Sequence, residues 1–592
     1  MRWKNLVDVE SPIIYDLAYN EKALKEFKEN FIEAQDSKLL LNYPTVYIVN
    51  DKDDNQSYTV YVGETNDIIR RTLEHLNADD QVRDDWKELK QSRTSQMYVI
   101  GHKHFNKSLT LDIENRLMHY LLSVEGIKHV NNRRTNPQSE YYTSDELEVI
   151  FSKIWRKLRQ KNKELFPLER VIKDSAIFKA SPYHKLTQEQ LAAKDLIIQK
   201  IESTLTQNQV GQLILVNGQA GTGKTVLMSS LFCDLLELSN LEEYPLFTNR
   251  SIYLLVNHDQ QLKVYEQIVK KLGYSLKEDI PIVSKPTSFI TRTSPDDPVD
   301  VVVIDEAHLL WTQGKQAYRG KNQLVDILNR ARTVVVVFDE NQILSREQHW
   351  EENEIAYMKH DAIQHGRYIE LQNQMRINAS KETVNWIRHF TDYKEILPIP
   401  DDANYDLKVF ENPAEMFAAI KQKAENQEHG LSRMLATFDW DYIDKKKPVD
   451  SEYWNVSVGE FHMPWNLQLP TTKEQKRRNK SLAWAEQEQT IDEVGSTFTI
   501  QGFDLNYAGV IIGPSVKYRD GKIVFDREAS KNKKAIQRRE LKNGEKVYLS
   551  DTLLKNELNV LLTRGVNGLY LFAVDPALQE KLLEMQKLRM NK

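Results

Sequence analysis

The chain has 592 residues, enough for three to five domains at roughly 100–200 residues each. Apolar residues make up 40% and charged residues 28%, with a formal net charge of −6. This is an ordinary globular balance; it excludes a coat-like nucleic-acid binder held by overall positive charge, but not an enzyme with local basic grooves. No apolar run nears the roughly 20 residues that span a bilayer, and the N-terminus lacks the apolar core of a secretion signal. The single cysteine, Cys233, excludes an intrachain disulfide and thiolate metal clusters, so a reducing cytoplasm is expected.

Residues 1–42 predict an amphipathic helix, with Leu24, Phe27, Phe31 and Ile32 at helical spacing. TVYIV and YTVYVG are β-rich runs joined by the polar NDKDDNQS, which predicts a hairpin. Helices are expected near 65–76, 80–90 and 110–123. His102 and His104, in GHKHF, have no cysteine partners and are expected to be surface histidines rather than zinc ligands. TSDELEVIFSKIWRKLRQ opens on a Thr143–Glu146 capping box and runs on as a basic amphipathic helix, expected to connect two halves. From Leu213 onward, LILVNG, SIYLLVN, VDVVVIDE, TVVVVFDE, AGVIIGP and GLYLFAV predict buried parallel strands covered on both faces by helices. Two basic stretches stand out, 471–484 and 517–546; the second is either a nucleic-acid contact or a solvated charged hairpin.

The second half carries the sharper chemical signal. Gly218-x4-Gly223-Lys224-Thr225 lies between a strand and a helix, and Gly221 falls inside it. Glycines there let backbone N–H groups approach phosphates, Lys224 would hold the β- and γ-phosphates, and Thr225 would ligate Mg²⁺. The acidic end of VVVIDEAHLL supplies Asp305 to hold the same Mg²⁺ and Glu306 to orient the attacking water. ATP and Mg²⁺ are therefore the expected cofactors.

Further motifs follow in order: LTQEQ with Gln190, FDENQ with Asp339 and Gln342, LQNQMRIN with Arg376, STFTIQGFDLNYAGVII with Gln501 and Gly502, and NVLLTRGVNGLYLF with Arg564. This set resembles the superfamily-1 helicases, and RMLATFDWDY, STFTIQGFDLNYAG and NVLLTRG look most like the Schlafen-like helicase domain of many bacterial proteins. The resemblance covers about 181–590. It implies an adenine-reading Gln190, a γ-phosphate-sensing Asp339 and Gln342, arginine fingers at Arg376 and Arg564, and Gln501 and Gly502 facing nucleotide and nucleic acid.

In the first half a Tyr, an Arg and one carboxylate can together activate water, neutralise a phosphodiester and hold one metal. TVY (45–47), YVG (61–63), Arg71 and His75 eight and twelve residues after Gly63, Glu114 in TLDIENRLMHYLL, and Asn131 or Asn132 resemble the GIY-YIG nuclease family. The resemblance implies Tyr47 as general base, Arg71 on the scissile phosphate, Glu114 on Mg²⁺ (or Mn²⁺), and Tyr61 and His75 positioning water and phosphate. Thr45 and Val46 replace the usual Gly and Ile.

The expected fold class is α/β. A small α+β GIY-YIG-like nuclease domain (1–142) is followed by a helical connector (143–180) and two RecA-like P-loop lobes with parallel sheets (181–365 and 366–592). The expected function is ATP-dependent cleavage of DNA in the cytoplasm, in a combination that resembles bacterial anti-phage effectors. RNA is a possible substrate, and a homo-oligomer or partner protein a possible assembly. A repair enzyme, or an ATP-gated sensor with a non-cutting nuclease fold, is the competing expectation.

Overall fold

The computed structural model describes residues 9–31, 37–77, 84–92, 94–131, 141–218, 221–274, 280–315, 318–372, 377–425, 430–479 and 482–590. They divide into two compact units. The first comprises residues 1–187 with Ser229–Leu238 and Val264–Glu278, and the second the remainder.

The first unit is built on a five-stranded sheet. Its elements are β1 (Ile13–Ala18), α1 (Glu21–Phe31), α2 (Ser37–Leu41), β2 (Thr45–Lys52), β3 (Tyr58–Thr65), α3 (Ile68–Asn77), α4 (Asp84–Gln91), β4 (Gln96–Gly101), α5 (Lys107–Leu122) and β5 (Ile127–Asn131). The strand order is β1-β4-β2-β3-β5, antiparallel except for the parallel pair β3–β5. The expected hairpin is present as β2–β3. Residues 1–42 are not one helix: IIYDLA forms β1, an edge strand pairing with β4, and only Glu21–Phe31 carries the helical stripe, with Leu24 and Phe27 buried. Ile32 lies outside the described residues.

Three helices follow: α6 (Leu147–Lys161), α7 (Glu169–Asp174) and α8 (Ala176–Lys179). α6 buries Ile150, Phe151, Ile154, Trp155 and Leu158, so the segment read as a connector packs into the first unit. The Thr143–Glu146 capping box does not form. Thr143 sits at φ +79 and its hydroxyl accepts from Asn106 Nδ2, while Glu146 pairs with His104. Of the two histidines, His102 is not a surface residue and His104 is only part-exposed. His102 is 1% exposed with Nε2 3.0 Å from the Glu10 carbonyl, and His104 is held by Glu146.

The second unit contains α9 (Gln188–Gln207), β6 (Gln212–Gly218), α10 (Lys224–Asn240), β7 (Ile252–Val256), α11 (Asp259–Lys271), β8 (Val283–Ser284), α12 (Pro286–Arg292), β9 (Val299–Asp305), α13 (Gln323–Leu328), β10 (Ala331–Phe338), α14 (Glu352–Gln364) and β11 (Tyr368–Leu371), with parts of α10 and α11 counted in the first unit. The strands make a wholly parallel six-stranded sheet in the order β11-β6-β10-β9-β7-β8. Then come α15 (Lys381–Arg388), β12 (Asp406–Val409), α16 (Pro413–Glu425), β13 (Arg433–Ala436), the hairpin β14–β15 (Asn455–Val458, Phe461–Pro464), α17 (Lys473–Arg478), β16 (Val494–Gly495), α18 (Thr497–Ile500), β17 (Leu505–Ile512), the hairpin β18–β19 (Val516–Arg519, Lys522–Phe525), α19 (Lys533–Ile536), the short pair β20–β21 (Arg539–Glu540, Lys546–Val547), α20 (Ser550–Leu562), β22 (Gly565–Ala573) and α21 (Pro576–Met590). Here the second parallel sheet runs β12-β22-β17-β13-β16.

All six strands read from Val/Ile/Leu runs are present, and the inner strands of both sheets are buried on both faces, as in parallel sheets covered by helices. The two sheets are compatible with RecA-like lobes. The basic stretch 517–546 is neither simply solvated nor a free arm. Ala535 lies in the core beneath the first sheet, and Ile536, Phe525 and Leu549 pack against it.

Candidate functional site

The phosphate loop follows β6. Gly221 and Gly223 stand at φ +92 and +73, a conformation that glycine alone adopts without strain, and α10 starts at Lys224. Two left-handed residues so close together are the backbone that a phosphate-binding turn before a helix calls for. Gln190 on α9 donates from Nε2 to the carbonyls of Thr222 (3.2 Å) and Gly223 (3.3 Å), which fixes it beside this loop.

A buried polar chain runs from the loop into the second sheet. Lys224 Nζ donates to Gly218 O at 2.6 Å and to Asp339 Oδ2 at 3.1 Å. Gln342 Nε2 donates to the same Asp339 oxygen at 2.7 Å, and Arg564 Nη2 donates to Gln342 Oε1 at 3.2 Å. Gln501 Nε2 donates to the Gln342 carbonyl at 3.3 Å. Burial pushes the Asp339 carboxyl up, but Lys224, His308 and Gln342 outweigh it and hold it below its ordinary value. Arg564 is fully buried and also donates to Val560 O (2.8 Å) and Phe503 O (3.4 Å). Asn556 Nδ2 on α20 donates to the carbonyls of Glu340 and Ile343, both at 3.0 Å, tying the arginine's helix to the same turn.

Asp305 ends β9, fully buried, and accepts from Gln261 Nε2 at 2.6 Å. Glu306 adopts φ +54, the left-handed region, which is costly for a glutamate and often found at working sites. Its Oε2 lies 3.1 Å from Nε2 of the fully buried His308, yet neither atom has a hydrogen-bond partner. Burial keeps His308 below its ordinary pKa despite the pull of Glu306 and Asp339. The two left-handed glycines, the buried Lys224, the adjacent Asp305 and Glu306 and these orphaned atoms fit a nucleoside triphosphate with its metal. Thr225 is the second residue of α10. Gly502, at φ +84, brings its Cα side against Gln261 Oε1. Arg376 lies outside the described residues.

In the first unit, the β2–β3 register sets Tyr47 opposite Gly63 and Val49 opposite Tyr61. The two tyrosine rings therefore share a face, 6.0 Å apart and nearly parallel. A Cβ on Gly63 would stand 2.5 Å from Tyr47 Cζ and its hydroxyl, so only glycine leaves room for that ring. Tyr47 is buried, and its hydroxyl lies 2.8 Å from His75 Nε2 on α3. His75 stacks on Trp86 of α4 at 3.8 Å. Burial first, then Tyr61 and Glu114, drive the Tyr47 pKa well above the ordinary phenol value, with Arg71 opposing. Arg71 donates to Glu74 at 3.1 Å and remains a cation. Glu114 projects from α5 and is buried, within electrostatic range of Tyr47. Asn131 pairs with Tyr61 across β3–β5; Asn132 lies outside the described residues. Among the described residues there is no cluster of three His, Cys, Asp or Glu side chains that could hold a metal.

Sequence reasoning brought these residues together but missed Gln261, His308, Asn556 and Trp86. His308 directly follows the acidic pair. Gln261 follows the C-terminal end of a parallel strand, where ligand sites of such sheets gather. Both were readable signals. Asn556 offered none, being one of seven polar residues in α20, and Trp86 none beyond one aromatic residue in a polar helix.

No described helix is long and apolar enough to cross a membrane. The family model for the Schlafen group 3 DNA/RNA helicase domain matches residues 211–575. The uncharacterised protein YPL245W of Saccharomyces cerevisiae is 33% identical over 446 residues, covering 68% of this chain and 91% of the yeast protein. The matched segment holds the phosphate loop, the acidic strand end and Arg564, and on that basis the chain belongs to the Schlafen group 3 helicase-domain family.

Proposed function

We propose that the chain is an ATP-driven enzyme that cleaves DNA, with a superfamily-1 motor in residues 181–592 and a GIY-YIG-like nuclease in residues 1–142, joined through 143–180. Membership of a DNA/RNA helicase-domain family supports an ATPase that works on nucleic acid. The observation that carries the motor reading is the continuous chain Lys224–Asp339–Gln342–Arg564. It links the phosphate loop of the first sheet to an arginine of the second through one carboxylate and one amide, so any group displacing Lys224 from Asp339 is felt at Arg564. Gly218, Gly221, Gly223 and Lys224 would cradle the phosphates of ATP, Gln190 its base, and Thr225 and Asp305 would hold Mg²⁺. When bound, Mg²⁺ would add positive charge to that of Lys224 and Arg564. Glu306 and His308 flank the place for the attacking water, Gln342 and Arg564 meet the developing charge, and Arg376 is the second finger.

The test is hydrolysis by Arg564→Ala. The expected result is a loss of roughly 10³-fold or more with nucleotide affinity retained. Hydrolysis at the wild-type rate would contradict the role.

For the nuclease, Arg71 would neutralise the scissile phosphate and Glu114 would hold Mg²⁺ or Mn²⁺, whose chemistry is stabilisation of the departing oxygen. The buried Tyr47 cannot release its proton to bulk water, so we infer that it works as a pair with His75, the ring nitrogen taking the phenol proton as Tyr47 takes one from water. Tyr61 stacks beside Tyr47 and fixes its ring. The cellular setting we infer is cytoplasmic defence against foreign DNA such as phage; it rests on the pairing of a nuclease with a motor.

A further inference from the structure

The chain carries a net charge of −6, yet residues 517–546 hold eleven basic residues against five acidic ones. Seven of those cations fall into two sets. Lys517 is paired with Asp526 (2.6 Å), Arg519 with Asp575 (2.8 Å) and Lys542 with Glu354, while Arg539 is buried with its guanidinium donating to the carbonyls of Arg346 and Thr312. These hold the segment in place. The second set lies over exposed aromatic rings. Lys534 Nζ stands 4.3 Å from the centroid of Phe498, which is 39% exposed. The guanidiniums of Arg527 and Arg538 stand 3.9 and 4.8 Å from the centroid of Tyr548, which is 42% exposed.

A further cation–ring pair, at a half-buried ring, belongs to the first sheet's side: Lys315 Nζ lies 5.4 Å from the Trp311 ring. Lys315 and Lys534 stand within electrostatic range of each other, and Glu347 is their shared counter-charge. Glu347 is also held by Arg346 at 3.2 Å. One carboxylate thus faces three cations, and the surplus is positive.

Exposed rings with cations at hand are the pattern that binds an unpaired nucleic-acid strand: bases stack on ring or guanidinium faces, and lysines meet phosphates. A duplex hides its base faces and cannot use the rings. Phe498 belongs to α18, and three residues further on Gln501 contacts Gln342 in the nucleotide cleft. We propose that an unpaired nucleic-acid strand lies along Trp311, Phe498 and Tyr548, with Lys315, Lys534 and Arg538 on its phosphates. The inference rests on the nucleic-acid motor reading and specifies where its strand lies.

The experiment measures binding of the full chain to a fluorescent oligothymidylate of about twenty nucleotides, then to oligouridylate and a duplex of the same length, across a salt series. Phe498→Leu, Lys534→Glu and Tyr548→Ala are compared with wild type, and Phe498→Leu keeps the apolar packing against Phe438. The expected outcome is single-strand affinity lower by roughly five- to a hundredfold in each variant, a salt slope reduced by about one for Lys534→Glu, and unchanged affinity for a nucleotide analogue. Wild-type binding that all three variants retain overturns the path alone. Tighter wild-type binding to duplex than to either single strand overturns it too. No binding of any nucleic acid by the wild type overturns the motor reading and this inference with it.

Discussion

Gly63 and Tyr47 show how one residue sets another. Their pairing across β2 and β3 leaves no room for a Cβ, so Gly63→Ala must push the Tyr47 ring away from His75. We expect a cost of about 1–3 kcal/mol in thermal unfolding and loss of cleavage, with ATP hydrolysis unchanged; a Gly63→Ala protein that cleaves normally would contradict the site. The spacing of TVY and YVG made this pair legible in the sequence. The raised pKa of Tyr47 was not legible, because it comes from burial by residues far apart in the chain. Glu557 makes a related case. Burial, with Asp439 adding, pushes its carboxyl from 4.5 up to about 7. A group whose folded-state pKa is raised contributes stability below its unfolded value and loses it as pH rises through the folded one. Stability should therefore fall between about pH 4.5 and 7. Glu557→Gln should flatten that fall and gain up to about 3 kcal/mol at pH 8, with Asn532 Oδ1, otherwise unpartnered, free to accept the new amide. Parallel unfolding-versus-pH curves for the two proteins would refute this.

At the scale of elements, α20 is the part that joins the two sheets' chemistry. It packs Leu553 and Leu554 into the first sheet's core and hooks Asn556 onto the turn holding Asp339 and Gln342. Arg564 follows two residues after it ends. Asn556→Ala leaves two buried carbonyls short of a donor, at about 1–3 kcal/mol, and should slow hydrolysis well before it weakens nucleotide binding; equal losses in both would argue for general unfolding instead. The long Val/Ile/Leu strands were readable because burial on both faces demands such runs. The four-residue strands β12 and β13 and the two-residue β8 and β16 were not, since so few residues carry no period. β1 was lost inside a segment whose neighbouring helix has a strong apolar stripe. The capping box at Thr143 failed because Asn106 and His104 claim its two side chains.

For the whole molecule, the sequence motifs predict two phosphate chemistries in one chain, and the described residues of each set fall within one compact unit. The family match supports the motor half, while the nuclease half rests on the arrangement of Tyr47, Tyr61, Arg71, His75 and Glu114. Coupling of the two is the central claim. Its most direct test is incubation of the purified protein with supercoiled plasmid and Mg²⁺, with and without ATP, beside Glu114→Gln and Lys224→Ala. The account predicts that the wild type nicks or linearises the plasmid, that Glu114→Gln does not although it still hydrolyses ATP, and that Lys224→Ala loses the response to ATP. Cleavage by Glu114→Gln at the wild-type rate, or intact plasmid in every lane while DNA still stimulates hydrolysis, would contradict it.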